Sequence, residues 1–211
     1  MLLNKYNYNK FYLIKKNYFN TNNKVLKIRY LSSLLIENLF KNATKDSKYI
    51  LAESYVKLVR NSLIPFVLFL RMHSLTKTTT LIDINVIDFP GRIYRFNINY
   101  FLLSVSNNLR WRISLYTNEL IWLPTITTLF DNGNWLEREC WDTFGVCFLE
   151  HPDLRRILTD YGFLGFPFRK DFPITGFQEL RYQEVNKCFK YVSVRNLRYR
   201  KFKYALPWQL N

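Results

Sequence analysis

Three stretches in the middle of the chain alternate apolar and polar residues with period two, and no other feature restricts the fold as strongly. Ile82, Ile84 and Val86 alternate with Asp83 and Asn85. Phe96, Ile98, Tyr100 and Leu102 alternate with Arg95, Asn97 and Asn99, and Trp111, Ile113 and Leu115 with Arg112 and Ser114. Successive side chains of a strand point to opposite sides, so this pattern suits strands with one face on a core and one toward water. Pro90-Gly91 and Asn107-Asn108 stand between the stretches as turn formers. The pattern predicts an antiparallel meander, and Tyr49–Val56 is a further candidate strand. Leu31, Leu34, Leu35 and Leu39 form one apolar stripe within residues 25–42, which predicts an amphipathic helix. Residues Lys57–Arg71 predict another, with Pro65 starting or kinking a turn. Pro124 is placed to open a short helix, where its missing N–H costs nothing. Together these elements imply an α+β class: a two-layer domain of helices on a mixed, mainly antiparallel sheet, continued by an extended C-terminal segment.

The chain divides into three parts by texture. Residues 1–24 are a basic, low-complexity arm of Asn, Lys and Tyr; residues 25–150 carry the α/β domain; residues 151–211 mix Pro, Gly, Arg and aromatics without a helix or strand period. The length of 211 residues and 48% hydrophobic content are enough for a real core. The 18 Phe and 15 Tyr, with dense Asn and Lys, also fit AT-rich coding, so aromatic content alone carries little weight. Thirty-one Lys and Arg against 16 Asp and Glu give a net charge of +15, which favours an acidic or polyanionic partner. Three cysteines with no C-x-x-C pair point to free thiols in a reducing compartment, not to a zinc site. The longest strong apolar run, Leu63–Leu70, is far shorter than the ~20 residues that cross a bilayer. The cationic start lacks the early Arg and Ser of a cleaved presequence, which suggests synthesis within an organelle.

Residues 134–145, NWLERECWDTFG, concentrate charge, and they read as a helix. Asn134 can cap it and Gly145 can end it in the left-handed conformation. Leu136, Cys140 and Phe144 recur every four residues as the buried stripe, with Trp141 beside it. Arg138 and Asp142 are four apart and can pair. Glu139 and Asp142, three apart, are expected on the exposed face, either as an acid/base pair or as a charge cluster facing solvent or a partner. With no histidine or nucleophile in the helix, the charge cluster is the better reading. His151 precedes Pro152 and Asp153, an arrangement that fits either a general base with its orienter or a turn histidine with its polar groups satisfied. Arg155-Arg156 and the strings DYGF and RKDFP alternate acid, base and ring, the composition of a protein interface rather than of an RNA surface.

Read together, residues 134–182 resemble one family: the NADH dehydrogenase subunit 9 family, also called the 30-kilodalton or C subunit of respiratory complex I. The residues that carry the resemblance are ERE-x-x-D-x-F-G, HPDLRR and RKDFP-x-x-G, with T-x-L-I-D-I-x-V-I-D-F-P, RF-x-x-x-Y-x-LLS, N-x-RW and Pro207-Trp208 in support. The resemblance implies a non-catalytic subunit of the peripheral arm of NADH:ubiquinone oxidoreductase, on the matrix side of the mitochondrial inner membrane. It implies no cofactor bound by this chain, since FMN and the iron–sulfur clusters belong to other subunits. It also implies a C-terminal extension lying along the quinone-binding module. The partners it implies are other complex I subunits in a hetero-oligomer, with no nucleic acid and no membrane span. The side chains expected at those contacts are Glu137, Arg138, Glu139, Asp142, His151, Asp153, Arg155, Arg156, Asp160, Tyr161, Arg169, Lys170, Asp171, Arg181, Tyr182 and Trp208. Phe166 stands where the family usually has His, Thr143 where it has Met, and Lys187 to Lys203 are basic where acids are common. Two other readings remain: a basic organellar RNA-binding or ribosomal protein, and the homologous subunit of a membrane-bound hydrogenase-type complex.

Overall fold

The computed structural model describes residues 39–40, 43–50 and 53–194. The basic arm, most of the helix expected within 25–42, and Trp208 lie outside the described residues. The chain forms two compact units, one up to Lys170 and one from Asp171 onward. Residues 151–170, expected to start a separate extended segment, therefore belong to the first unit.

The first unit is built on a five-stranded sheet: β1 (Thr44–Ile50), β2 (Glu53–Leu58), β3 (Thr80–Asp88), β4 (Phe96–Ser104) and β5 (Leu109–Thr117). Their order is β1-β2-β5-β4-β3, with β2 parallel to β5 and every other pair antiparallel. The meander β3-β4-β5 forms where the alternation predicts it. The single strand expected over Tyr49–Val56 is instead two, because polar TKDSK pairs as the edge strand β1. A charged edge strand discourages pairing with further chains, but its few apolar residues leave no period-two signal.

Helix α1 (Leu63–Met72) buries Leu63, Phe66, Val67 and Leu70 on one side. At i, i+3, i+4 and i+7 these four give roughly 6–12 kcal/mol of gross transfer energy, before the entropy of ordering the helix is subtracted. The helix starts six residues later than expected because Lys57 and Leu58 are held in β2. Pro65 falls in its first turn, where no N–H is needed. Phe40 closes the end of this layer, edge-on to Phe66 at 5.1 Å and to Phe69 at 5.0 Å.

The core face of the sheet carries Val56, Ile84, Val86, Phe96, Ile98, Tyr100, Leu102, Trp111, Ile113 and Leu115, all buried. Ile82 does not join them. A bulge between Leu81 and Asp83 shifts the register, so Leu81 takes the core position and Ile82 is 48% exposed. Period two predicts the face only while the ladder is regular, and nothing in the local sequence announces the extra residue.

Pro124 does not open a helix. It lies in a two-residue strand, β6 (Leu123–Pro124), parallel to β7 (Phe148–Leu149). The Leu123 and Thr125 N–H groups donate to Cys147 O and Leu149 O at 3.0 and 3.1 Å, and the proline occupies the position between them. Helix α2 (Gly133–Phe144) packs on β3. The second unit contains a hairpin, β8 (Gln178–Gln183) and β9 (Cys188–Ser193), within the stretch expected to lack regular structure. Tyr182 and Phe189 face one another across it at 5.3 Å. No helix among the described residues is long and apolar enough to cross a membrane.

Candidate functional site

Helix α2 ends as its sequence requires. Gly145 has φ +77°, and its N–H bonds Trp141 O at 2.9 Å. A Cβ at this glycine would stand 2.6 Å from Phe166 Cζ and from Arg169 Nη2, so both the backbone sign and the close approach demand glycine. Asn134, in contrast, lies within the first turn. The helix begins at Gly133, out of turns in which Gly133 N–H bonds Phe130 O and Asn134 N–H bonds Asp131 O.

Three of the four charges on α2 do not face solvent. Glu137 and Asp142 are fully buried and Arg138 is 7% exposed; of the four, only Glu139 is exposed. The pairing expected between Arg138 and Asp142 is replaced on both sides. Arg138 Nε donates to Arg155 O at 3.2 Å, and its guanidinium lies 5.0 Å from the Trp135 ring. Asp142 Oδ2 accepts the N–H groups of Ile157, Leu158 and Thr159 at 3.1, 2.6 and 2.9 Å, and Oδ1 accepts the Thr159 hydroxyl at 2.6 Å. Burial alone would raise the Asp142 pKa, but these hydrogen bonds outweigh it and hold the carboxyl below its ordinary range. Arg156 Nη1 approaches Asp142 Oδ1 at 3.7 Å, and Nη2 donates to Gly165 O at 2.9 Å. Thus one carboxylate organises a loop that has no backbone ladder of its own.

Glu137 does the same for the preceding connection. It accepts Ile126 N–H at 2.8 Å and the Thr125 hydroxyl at 2.6 Å. Burial outweighs those bonds and pushes its pKa up to about 7. His151 Nε2 lies 3.8 Å from Glu137 Oε2, both side chains fully buried, and Nδ1 accepts the Asp153 N–H at 3.1 Å. Burial lowers the His151 pKa. The Asp153 carboxylate turns away to Arg155, at 2.9 Å. His151 is therefore a sealed turn residue, and the arrangement of a base with an aspartate orienter is not built.

A second cluster anchors the far end of the segment. Asp88 takes a bidentate fork from Arg95, at 2.7 and 2.8 Å, and the Lys170 N–H at 2.9 Å. The Arg95 bonds hold Asp88 below the usual carboxylate range against the cost of burial. Glu119 bridges Arg95 at 2.8 Å and Arg169 at 3.1 Å, while Arg169 Nε donates to Phe144 O at 2.6 Å. Arg169 also stacks over Phe166 at 4.3 Å, and Arg156 approaches the same ring at 5.0 Å. The phenyl group at position 166 thus serves as the ring between two guanidinium groups.

Residues 150–170 are consequently strapped onto the domain by its own carboxylates. Of the side chains named above for contacts with neighbours, Glu137, Arg138, Asp142 and His151 are covered by this chain and Arg169 is half-buried, each meeting main-chain or charged groups within it. Arg156 and Lys170 stand at the strap's margin, and Asp153, Arg155, Asp160 and Tyr161 are outward. The strap presents Leu158, Tyr161, Leu164 and Phe168, 61–99% exposed. In the second unit Asp171, Arg181 and Tyr182 are exposed, and Arg181 pairs with Glu179. Sequence patterns did not single out Asp88, Arg95 or Glu119. A signal existed for the first two, which lie in the strings V-I-D-F-P and RF that support the family resemblance.

Fold and site together define an α+β domain that holds a long aromatic segment on its surface with its own buried carboxylates. The chain belongs to the family described as "Respiratory-chain NADH dehydrogenase, 30 Kd subunit", which matches residues 56–178. It is 48% identical over 141 residues to NADH-ubiquinone oxidoreductase subunit 9 of Acanthamoeba castellanii, covering 66% of this chain and 71% of that one. It is 45% identical over 158 residues to the C subunit of the NADH-quinone oxidoreductase of Ruegeria pomeroyi, covering 74% and 79%. NADH dehydrogenase [ubiquinone] iron-sulfur protein 3 of Oryza sativa is 44% identical, over 70% of this chain and 78% of that one. The fold resembles a chain of an archaeal membrane-bound sulfane sulfur reductase, with a TM-score of 0.58 at 16% identity, over 68% of this chain and 86% of the other.

Proposed function

We propose that this chain is a non-catalytic scaffold subunit of the peripheral, matrix-side arm of mitochondrial respiratory complex I. There it serves assembly of the quinone-binding module for NADH-to-ubiquinone electron transfer coupled to proton translocation. The observation that carries the reading is the strap: residues 150–170, locked by Asp142 and Asp88, hold apolar side chains out to solvent. An ordered apolar surface of this kind suits burial under a neighbouring polypeptide. Its arginines are engaged by carboxylates, carbonyls and rings, which favours a protein partner over nucleic acid. FMN and the iron–sulfur clusters are assigned to other subunits, and the chain to synthesis within the organelle.

Native mass spectrometry of purified complex I tests this. The chain is expected in every particle with full NADH-to-quinone activity; active particles without it would refute the reading. Arg156→Ala and Asp171→Ala are expected to lower the amount of assembled complex more than turnover per complex, and the reverse would refute a scaffold role. A second reading is the homologous subunit of a membrane-bound hydrogenase-type complex; a chain of an archaeal membrane-bound sulfane sulfur reductase shares the fold. Co-purification with hydrogenase-type rather than quinone-reductase subunits would select it.

A further inference from the structure

We propose that the face of the five-stranded sheet opposite the core is a second protein-docking surface, centred on the half-buried Arg112 and fitted to a neighbouring subunit that presents a carboxylate beside an apolar side chain. The proposal rests on the chain working inside a multi-subunit assembly, but the face is separate from the strap.

The cross-strand register defines the surface. Lys48 pairs with Tyr55, Tyr55 with Arg112, Arg112 with Phe101, and Phe101 with Asp83. Directly opposed residues share a face, so these five form one row across the whole sheet. Trp111 and Ile113 lie on the core side, which puts Arg112 on the other. Its guanidinium is flanked by the rings of Tyr55 at 5.6 Å and Phe101 at 5.5 Å. Its Nε donates to Asn99 Oδ1 at 3.3 Å. Its terminal nitrogens have no carboxylate among the described residues, whereas neighbouring cations do: Lys57 pairs with Asp46 at 3.3 Å and Arg110 with Glu53 at 4.0 Å. A half-buried arginine, flanked by two rings and with no carboxylate on its fork among the described residues, is the geometry of an interface anchor.

The bulge in β3 supplies the apolar half. It turns Ile82 out of the core and into a hollow of about 350 Å³, shared with Phe101, Glu53, Asp83 and Arg110. Ile82 would otherwise have filled a core position, so the register shift adds apolar surface to an already aromatic face. Asp83, in the same row and with no cationic partner among the described residues, disfavours an extended polyanion, while the Arg112 fork has room for one carboxylate. This selects an acidic segment of a protein over RNA or an anionic lipid surface.

The test uses the assembled complex with a benzophenone amino acid placed at Phe101. Irradiation is expected to cross-link this chain to a segment of another subunit that contains Asp or Glu. Arg112→Gln should then weaken retention of the chain in the complex by about tenfold or more, Arg112→Lys by less, and Lys48→Gln at the edge of the same row hardly at all. Cross-links to this chain's own residues, to a second copy, to RNA or to lipid would overturn the proposal. So would no cross-link together with Tyr55 reacting with solvent reagents as quickly as free tyrosine. If the unsubstituted chain is absent from complex I, the scaffold reading fails separately. The cross-link is then read in the assembly with which the chain co-purifies, where the same outcomes decide.

Discussion

Replacing Asp142 with alanine removes four hydrogen bonds from one buried carboxylate. Three run from consecutive N–H groups at 157–159, and one from the Thr159 hydroxyl. A hydrogen bond to a charged group is worth about 1.5–3 kcal/mol net, but bonds to one shared group are not additive. Removing one member of a buried charged network costs about 3–5 kcal/mol, and that range is expected here. For a chain of this size it corresponds to a fall in Tm of about 6–20 °C. Asp142→Asn keeps one acceptor oxygen, so its loss is expected to be about half as large. Denaturant unfolding of the full-length chain measures the change. Hydrogen exchange should show the amides of Ile157, Leu158 and Thr159 losing protection before those of β4. The low Asp142 pKa adds a sign. A carboxyl depressed in the folded state stabilises above its unfolded pKa, near 4, and that contribution disappears as pH falls through the folded value. A loss below about 1 kcal/mol, or protection at 157–159 unchanged in Asp142→Ala, would refute the strap as described.

Glu137 should act in the opposite direction. Its folded pKa is raised from 4.5 to about 7, so stability is full below pH 4.5 and falls as pH rises through 7, by on the order of 3 kcal/mol. Glu137→Gln should flatten that slope, which unfolding measured from pH 4.5 to 8 will reveal; an unchanged slope would assign it to another group. Gly145→Ala should cost at least about 2 kcal/mol, from a left-handed φ and a Cβ pressed onto Phe166 and Arg169. Equilibrium unfolding at neutral pH is the check.

The meander, the α+β class, the glycine stop of α2 and the family were legible from residue order. Each depends on local chemistry: period two, turn residues, the freedom of glycine, and a long string of matched side chains. Even the apolar stripe of α2 was readable, since helical spacing alone places Leu136, Cys140 and Phe144 together. Where charge would go was not readable in the same way. Asp142 looks like solvated surface, and nothing local gives Glu137 a partner, until one sees Ile126 and the unladdered loop at 157–159, whose N–H groups need acceptors. Polar TKDSK reads as loop until β2 offers it a partner, and Ile82 reads as core until the bulge rotates it outward. In each case a spatial neighbour distant in sequence decides the outcome. Burying a carboxylate is costly alone; remote donors converging on it outweigh that cost at Asp142 and only partly offset it at Glu137, and that convergence exists only in the folded chain.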